Sequence, residues 1–207
     1  MKITIFLSTL VLVALILSPA LSFAERDSLC MCMVDAWSPP NLDCTYGMAI
    51  LGNYLLFPHR SLYILEIGNS GELNLVSTVL ESNHCYNVVV KDTIAYVATG
   101  EGLICLDVSN PTSPDSIGYL SGHNFFFLDI ADTLLYVSAF SELLIIDVSD
   151  PTAPTAIYSE DWSGGWDIFV DYPYLYAVSG PSAPHSLAVL GILDVENPDS
   201  VILTGVF

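Results

Sequence analysis

Leu56, Tyr96, Tyr136 and Tyr176 stand 40 residues apart, and the positions around them keep the same spacing. Ten residues before each anchor comes an aromatic: Tyr46, Tyr86, Phe126 and Trp166. Eight before come Met48, Val88, Leu128 and Ile168, and six before come Ile50, Val90, Ile130 and Val170. Self-similarity at a fixed period restricts a chain to architectures in which equal units stack on one another, because no single unit of this size buries its apolar face alone.

Within each period a second apolar run ends in an acid: Leu62–Glu66, Leu103–Asp107, Leu143–Asp147 and, after a longer loop, Leu190–Asp194. Three of these acids open nearly the same turn, Asp107-Val-Ser-Asn-Pro111, Asp147-Val-Ser-Asp-Pro151 and Asp194-Val-Glu-Asn-Pro198. Asn-Pro and Asp-Pro initiate turns, since proline fixes φ and the preceding side chain bonds the turn's own backbone. The acids are read as turn caps, with calcium as the one cofactor their chemistry would suit. The second unit then divides into strands at Asn87–Val90, Ile94–Thr99, Leu103–Val108 and Ser116–Tyr119. Short runs of Val, Ile, Leu and Tyr punctuated by Gly, Asp, Asn and Pro are hairpin-connected antiparallel strands.

Four strands in about 40 residues is the signature of a propeller blade, so the chain is expected to be all-β, a β-propeller of about four four-stranded antiparallel blades. A complete four-bladed ring, a shortened longer protein and a half-ring that self-associates all fit this count. Expected boundaries are 1–24 for a signal peptide, 25–43 for an N-terminal arm, and 44–84, 85–124, 125–164 and 165–207 for the units. Leu-Ile-Cys-Leu-Asp-Val-Ser-Asn-Pro and Leu-Leu-Ile-Ile-Asp-Val-Ser-Asp-Pro resemble the LVIVD repeat of bacterial secreted β-propeller proteins. The resemblance covers about Cys44 to Phe207. It is weaker in the first unit, which has Gly68-Asn-Ser-Gly71 in place of the proline turn, and in the fourth, which carries an insertion around His185. It implies fold and export more than an activity.

The N-terminus reads as an export signal: Lys2, an apolar run to Leu17, then Ser22-Phe-Ala24, which places cleavage before Glu25. An extracellular, periplasmic or cell-surface location follows, with no membrane span after cleavage. Loss of Lys2 leaves Arg26, Arg60 and Lys91 against 23 acids. Phosphate backbones need clustered cations, so a nucleic-acid partner is excluded. Five cysteines in an oxidising compartment leave at least one unpaired within the chain. Cys30 or Cys32 with Cys44 would tie the arm to the first unit, whereas Cys85 and Cys105 fall in apolar strands and read as small buried hydrophobes.

Antiparallel connectivity sends the turns between strands one and two and between three and four to one face, and the remaining loops to the other. The second face collects His59, Arg60, His84, His123, Asp161, Trp162 and His185 as candidate binding residues, Trp162 among them expected to be exposed. No nucleophile elbow, metal-ligand spacing or phosphate loop accompanies them. The expected function is a non-catalytic interaction module recognising a protein or a glycan; the alternative is a secreted hydrolase or lyase with its site at the channel mouth.

Overall fold

A computed structural model describes residues 36–37, 46–81, 83–122, 124–162, 165–180, 189–198 and 200–207. The signal segment, most of the arm with Cys30, Cys32 and Cys44, and both His123 and His185 lie outside the described residues.

Among the described residues sixteen strands form four separate four-stranded sheets, each in simple sequence order. Blade one holds β1 (Ala49–Leu51), β2 (Tyr54–Pro58), β3 (Leu62–Ile67) and β4 (Leu73–Val79). Blade two holds β5 (Cys85–Lys91), β6 (Ile94–Thr99), β7 (Gly102–Asp107) and β8 (Asp115–Ser121). Blade three holds β9 (Phe125–Ala131), β10 (Leu134–Ala139), β11 (Glu142–Asp147) and β12 (Thr155–Asp161). Blade four holds β13 (Gly165–Asp171), β14 (Tyr174–Ser179), β15 (Val189–Asp194) and β16 (Ile202–Val206). All pairing is antiparallel, as the turn punctuation predicts.

The period survives in detail. Leu56, Tyr96, Tyr136 and Tyr176 pair with Ile64, Cys105, Ile145 and Ile192, the same register in every blade. The first turn of blades one to three is a two-residue hairpin with positive φ at its first position, Gly52, Asp92 or Asp132, the left-handed start that tight hairpin turns use to match the strand twist. Blade four uses Tyr172 with a cis Pro173 there instead. Each outer strand carries one extra residue at the same place, Val76, Ile117, Ile157 and Thr204, a bulge that bends the strand locally.

Alternation along the strands gives each blade two apolar faces, and the core is the series of seams between them. The leading face of blade one, with Leu56, Leu62 and Ile64, packs on Ala95, Val97, Ile104 and Leu106 of blade two. Tyr96, Leu103 and Cys105 then meet Leu135, Val137, Leu144 and Ile146 of blade three, and Tyr136, Leu143 and Ile145 meet Leu175, Ala177 and Leu193 of blade four. Cys85 and Cys105 are buried free thiols in these seams, and burial pushes both up to about 12, as expected of inert core cysteines. Polar contacts reinforce the seams. Ser77 Oγ donates to the carbonyl of Pro111 at 2.7 Å, and Lys91 Nζ reaches the Asp132 backbone oxygen at 2.5 Å. The sheets do not close into a ring: no substantial packing joins blade four to blade one among the described residues.

Candidate functional site

The innermost strand of each blade is its first, since β5 packs on both β1 and β9, and β9 on β13. The aromatic positions ten residues before each anchor therefore gather near the axis. Tyr86 and Phe126 have ring centroids 4.9 Å apart, and Tyr46 lies 5.3 Å from Phe127 and 6.1 Å from Tyr86. Trp166, the fourth member, lies against Gly180 and is 60% exposed.

All of these stand at the upper ends of their strands, the end that also carries the strand two-to-three turns and the links between blades. Phe140, 68% exposed, projects from such a turn in blade three. Tyr119 is exposed near the upper end of β8 and donates its hydroxyl to the Glu101 carbonyl at 3.0 Å. With Gly100, Ser121 and Gly122 these two residues line a shallow hollow. Turn and link are stitched together here: Gly122 N donates to Glu101 O at 2.9 Å and Asn124 N to Gly100 O at 3.2 Å. Glu81, Glu101, Glu160 and Asp161 are exposed on the same face. The result is a set of exposed aromatic rings on a rigid, acid-bordered rim, suited to stacking and apolar docking.

Of the residues singled out from sequence, those among the described residues, His59, Arg60, His84, Asp161 and Trp162, fall on or beside the loops of blades one, two and three. His59 sits in the first two-to-three turn but is buried, only 4% exposed, whereas Arg60 beside it is exposed. His84 is exposed, has φ of 49°, and its carbonyl accepts from Gly100 N at 3.3 Å. Asp161 is exposed at the end of β12. Trp162 corrects the expectation of exposure: its ring packs against Gly191 of blade four and joins the seam cluster, because the absent Cβ of that glycine leaves a slot for an indole. Phe140 and the axial aromatics were not singled out as site residues, although the periodic aromatic at 46, 86, 126 and 166 was the available signal.

The repeated turn acids are caps. Asp107, Asp147 and Asp194 accept from the amides of Ser109, Ser149 and Glu196 at 2.8, 2.8 and 3.0 Å. Those bonds hold Asp107 and Asp147 below the usual carboxylate range. Among the described residues no group of three or more His, Cys, Asp or Glu is placed to hold a metal.

Two carboxyls on the inner strands behave oppositely. Burial lifts Asp129 and Asp167 above the usual range; the amides of Val170 and Ile130 oppose the shift at Asp129, and the charge of Asp167 adds to it. Asp129 Oδ2 accepts from Val170 N at 2.7 Å, which clips blade three to blade four. A carboxyl with a raised folded pKa binds protons better in the native state, so it favours folding at low pH. That contribution disappears as pH rises from the unfolded value near about 4 through the raised folded value. Asp129→Asn is therefore expected to flatten the fall in melting temperature above about pH 4. Thermal melts of both proteins across a pH series check this, and an unchanged slope would count against it.

The fold and this rim define an open, four-bladed β-propeller module. Within it, residues 84–120 and 130–161 match the LVIVD repeat model, so the chain carries LVIVD repeats. Among curated proteins none matches the sequence. Solved structures similar to it include the computationally designed Ika4 protein, at 11% identity and a TM-score of 0.55, covering 80% of this chain and 94% of that one. A Bacteroides fragilis NCTC 9343 protein provisionally named a 6-phosphogluconolactonase aligns at 13% identity and a TM-score of 0.63, over 77% of this chain and 56% of its own. A chain of the Mitotic Checkpoint Complex aligns at 16% identity and a TM-score of 0.61, over 82% of this chain and 53% of its own. The chain thus spans little more than half the length of the last two. At these identities the likeness is one of fold. Among the described residues no helix is long and apolar enough to cross a membrane.

Proposed function

We propose that the protein is an exported, non-catalytic binding module that recognises a protein partner through the upper rim. The observation that carries this reading is the set of exposed aromatics there, Tyr119 and Trp166 near the upper ends of β8 and β13 and Phe140 in a two-to-three turn, all fixed in place by the blades. Aromatic anchors bury much area at little entropic cost, and the neighbouring acids favour a partner with a basic surface. The similarity to a chain of a multiprotein assembly agrees with protein binding, and the N-terminal signal pattern supports export.

The test is binding of the purified protein to arrays of defined extracellular proteins and of glycans, beside the triple variant Tyr119→Ala, Phe140→Ala, Trp166→Ala. A basic protein held by the natural chain and released at least tenfold more readily by the variant is expected. Equal binding by both proteins would remove the rim as the site, and retention on glycans alone would replace the partner class.

A further inference from the structure

Blades two and three share one backbone frame at the upper ends of their outer strands. Tyr119 pairs with Ile104 as Ser159 pairs with Leu144, and Ser121 pairs with Gly102 as Asp161 pairs with Glu142. The link to the next blade closes on the two-to-three turn through the same bond in both, Gly122 N to Glu101 O and Trp162 N to Ser141 O, each 2.9 Å. The side chains on this common frame differ. Blade three carries Phe140, Ser141, Ser159 and Trp162 where blade two carries Gly100, Glu101, Tyr119 and Gly122. Two bulky groups are missing from blade two, and an acid and a ring stand in place of two serines.

Packing compels one of these departures and leaves the others open. Gly122 is compelled, since an added Cβ would lie 2.5 Å from the buried Phe125 ring. Gly100 is not. Its φ lies outside the left-handed range, and a Cβ there would keep ordinary distances, 3.6 Å from Asn124 Oδ1 and 3.8 Å from the Tyr86 hydroxyl. Glu101 is exposed and Tyr119 is 51% exposed, whereas the tyrosines that serve the seams, Tyr96 and Tyr136, are buried. These choices create the hollow lined by Gly100, Glu101, Tyr119, Ser121 and Gly122. It is left open over Gly100, and its wall is a ring that the bond from the Tyr119 hydroxyl to the Glu101 carbonyl holds in place. A local break with the repeat that the core does not require points to a task outside folding.

Charge decides what the hollow takes. The chain has 4 Lys and Arg against 23 Asp and Glu. Among the described residues its two basic side chains stand elsewhere, Arg60 on blade one and Lys91 at the lower end of β5 against Asp132. A cation over a tyrosine face is attracted by the ring quadrupole, and a carboxylate beside it adds a charge-assisted hydrogen bond. Guanidinium suits both at once, being planar for stacking and forked for the carboxylate, whereas an ammonium offers a point charge. We infer that this hollow on blade two is an arginine subsite: an arginine side chain of the partner lies on the Tyr119 ring and donates its N–H groups to the Glu101 carboxylate. The inference rests on the upper rim as the recognition surface and adds the residue type that it reads.

Nuclear magnetic resonance titration of the isotope-labelled natural chain with N-acetyl-arginine amide, at low ionic strength, is the test. The amide signals of Gly100, Glu101, Ser121 and Gly122 should move and saturate in the millimolar range of a single exposed contact. N-acetyl-citrulline amide, which keeps the shape and loses the charge, should bind about fivefold more weakly. Tyr119→Ser and Glu101→Ser put on blade two the residues that blade three carries in the same frame, so the fold should hold. Each should weaken the arginine response about threefold. Equal responses to the two probes would overturn the inference, because the hollow would not be reading charge. So would signals moving mainly elsewhere, or an undiminished response in both variants. A basic protein held at the rim without an arginine response here would remove this subsite and leave the binding module standing. An arginine response with no protein retained on the arrays would do the reverse.

Discussion

Gly118→Ala is expected to destabilise the protein by roughly 3 kcal/mol, the upper end of what an overpacked methyl group costs. Gly118 follows the bulge residue of β8, where the strand bends toward blade three. An added Cβ would lie 2.0 Å from the backbone carbonyl oxygen of Pro151 and 3.1 Å from its carbon. Neither atom belongs to a flexible side chain, so relief requires moving the Asp147–Pro151 turn, which its own hydrogen bonds hold. In a domain of this size the loss corresponds to a drop of about 10 °C in melting temperature. Blade one makes the equivalent contact with a hydrogen bond, Ser77 Oγ to Pro111 O, so Ser77→Ala should cost only about 1 kcal/mol. If the two variants melt together, the close approach of β8 to the next blade's turn is not what fixes the seam.

Tyr136→Ala is expected to cost about 3–5 kcal/mol, the range for removing a buried aromatic ring. Tyr136 has no solvent exposure and stands with Leu143 and Ile145 against Ile168, Leu175 and Leu193. Because a stacked unit is stabilised chiefly by its immediate neighbours, the loss should be local. Amide exchange in β13 to β16 should accelerate strongly, while β2 and β6 should change little. Uniform acceleration across all four blades would mean that the stack unfolds as one cooperative unit.

Much of this architecture was legible before any coordinates. The 40-residue spacing fixed the equivalence of Leu56, Tyr96, Tyr136 and Tyr176, because a seam position must recur once per unit whatever the surrounding residues are. The Asp-Val-Ser turns were readable for a similar reason: side chain and acceptor amide lie two residues apart, so local sequence contains both partners. Cys85 and Cys105 could be placed because apolar neighbours in a strand pattern imply burial.

The site was less legible, since exposure depends on what another blade contributes. Trp162 follows two acids and precedes Ser-Gly-Gly, a context that reads as open loop, yet Gly191 provides its slot from 29 positions away. His59 stands in a turn whose local sequence, Pro58-His-Arg-Ser61, gives no cue to its burial. The axial grouping of Tyr46, Tyr86 and Phe126 depends on which strand is innermost, and periodicity alone does not distinguish inner from outer. Trp37, whose ring packs on Phe57 and Tyr63 of blade one, lies outside the repeat altogether, so no alignment of units could assign it a role.

The two-residue hairpins at 52–53, 92–93 and 132–133 and the capped proline turns all lie at the lower end, where each sets its strands' register with bonds internal to the turn. Strand alignment is thereby decided without help from the opposite loops. Segments such as 100–101 and 140–141 bond the links between blades through their backbones, Gly122 N to Glu101 O and Trp162 N to Ser141 O, so it is their outward side chains that can change while the sheets keep their pairing. The molecule is accordingly a natural display frame, in which new recognition side chains can be carried at one end and the folding instructions stay at the other.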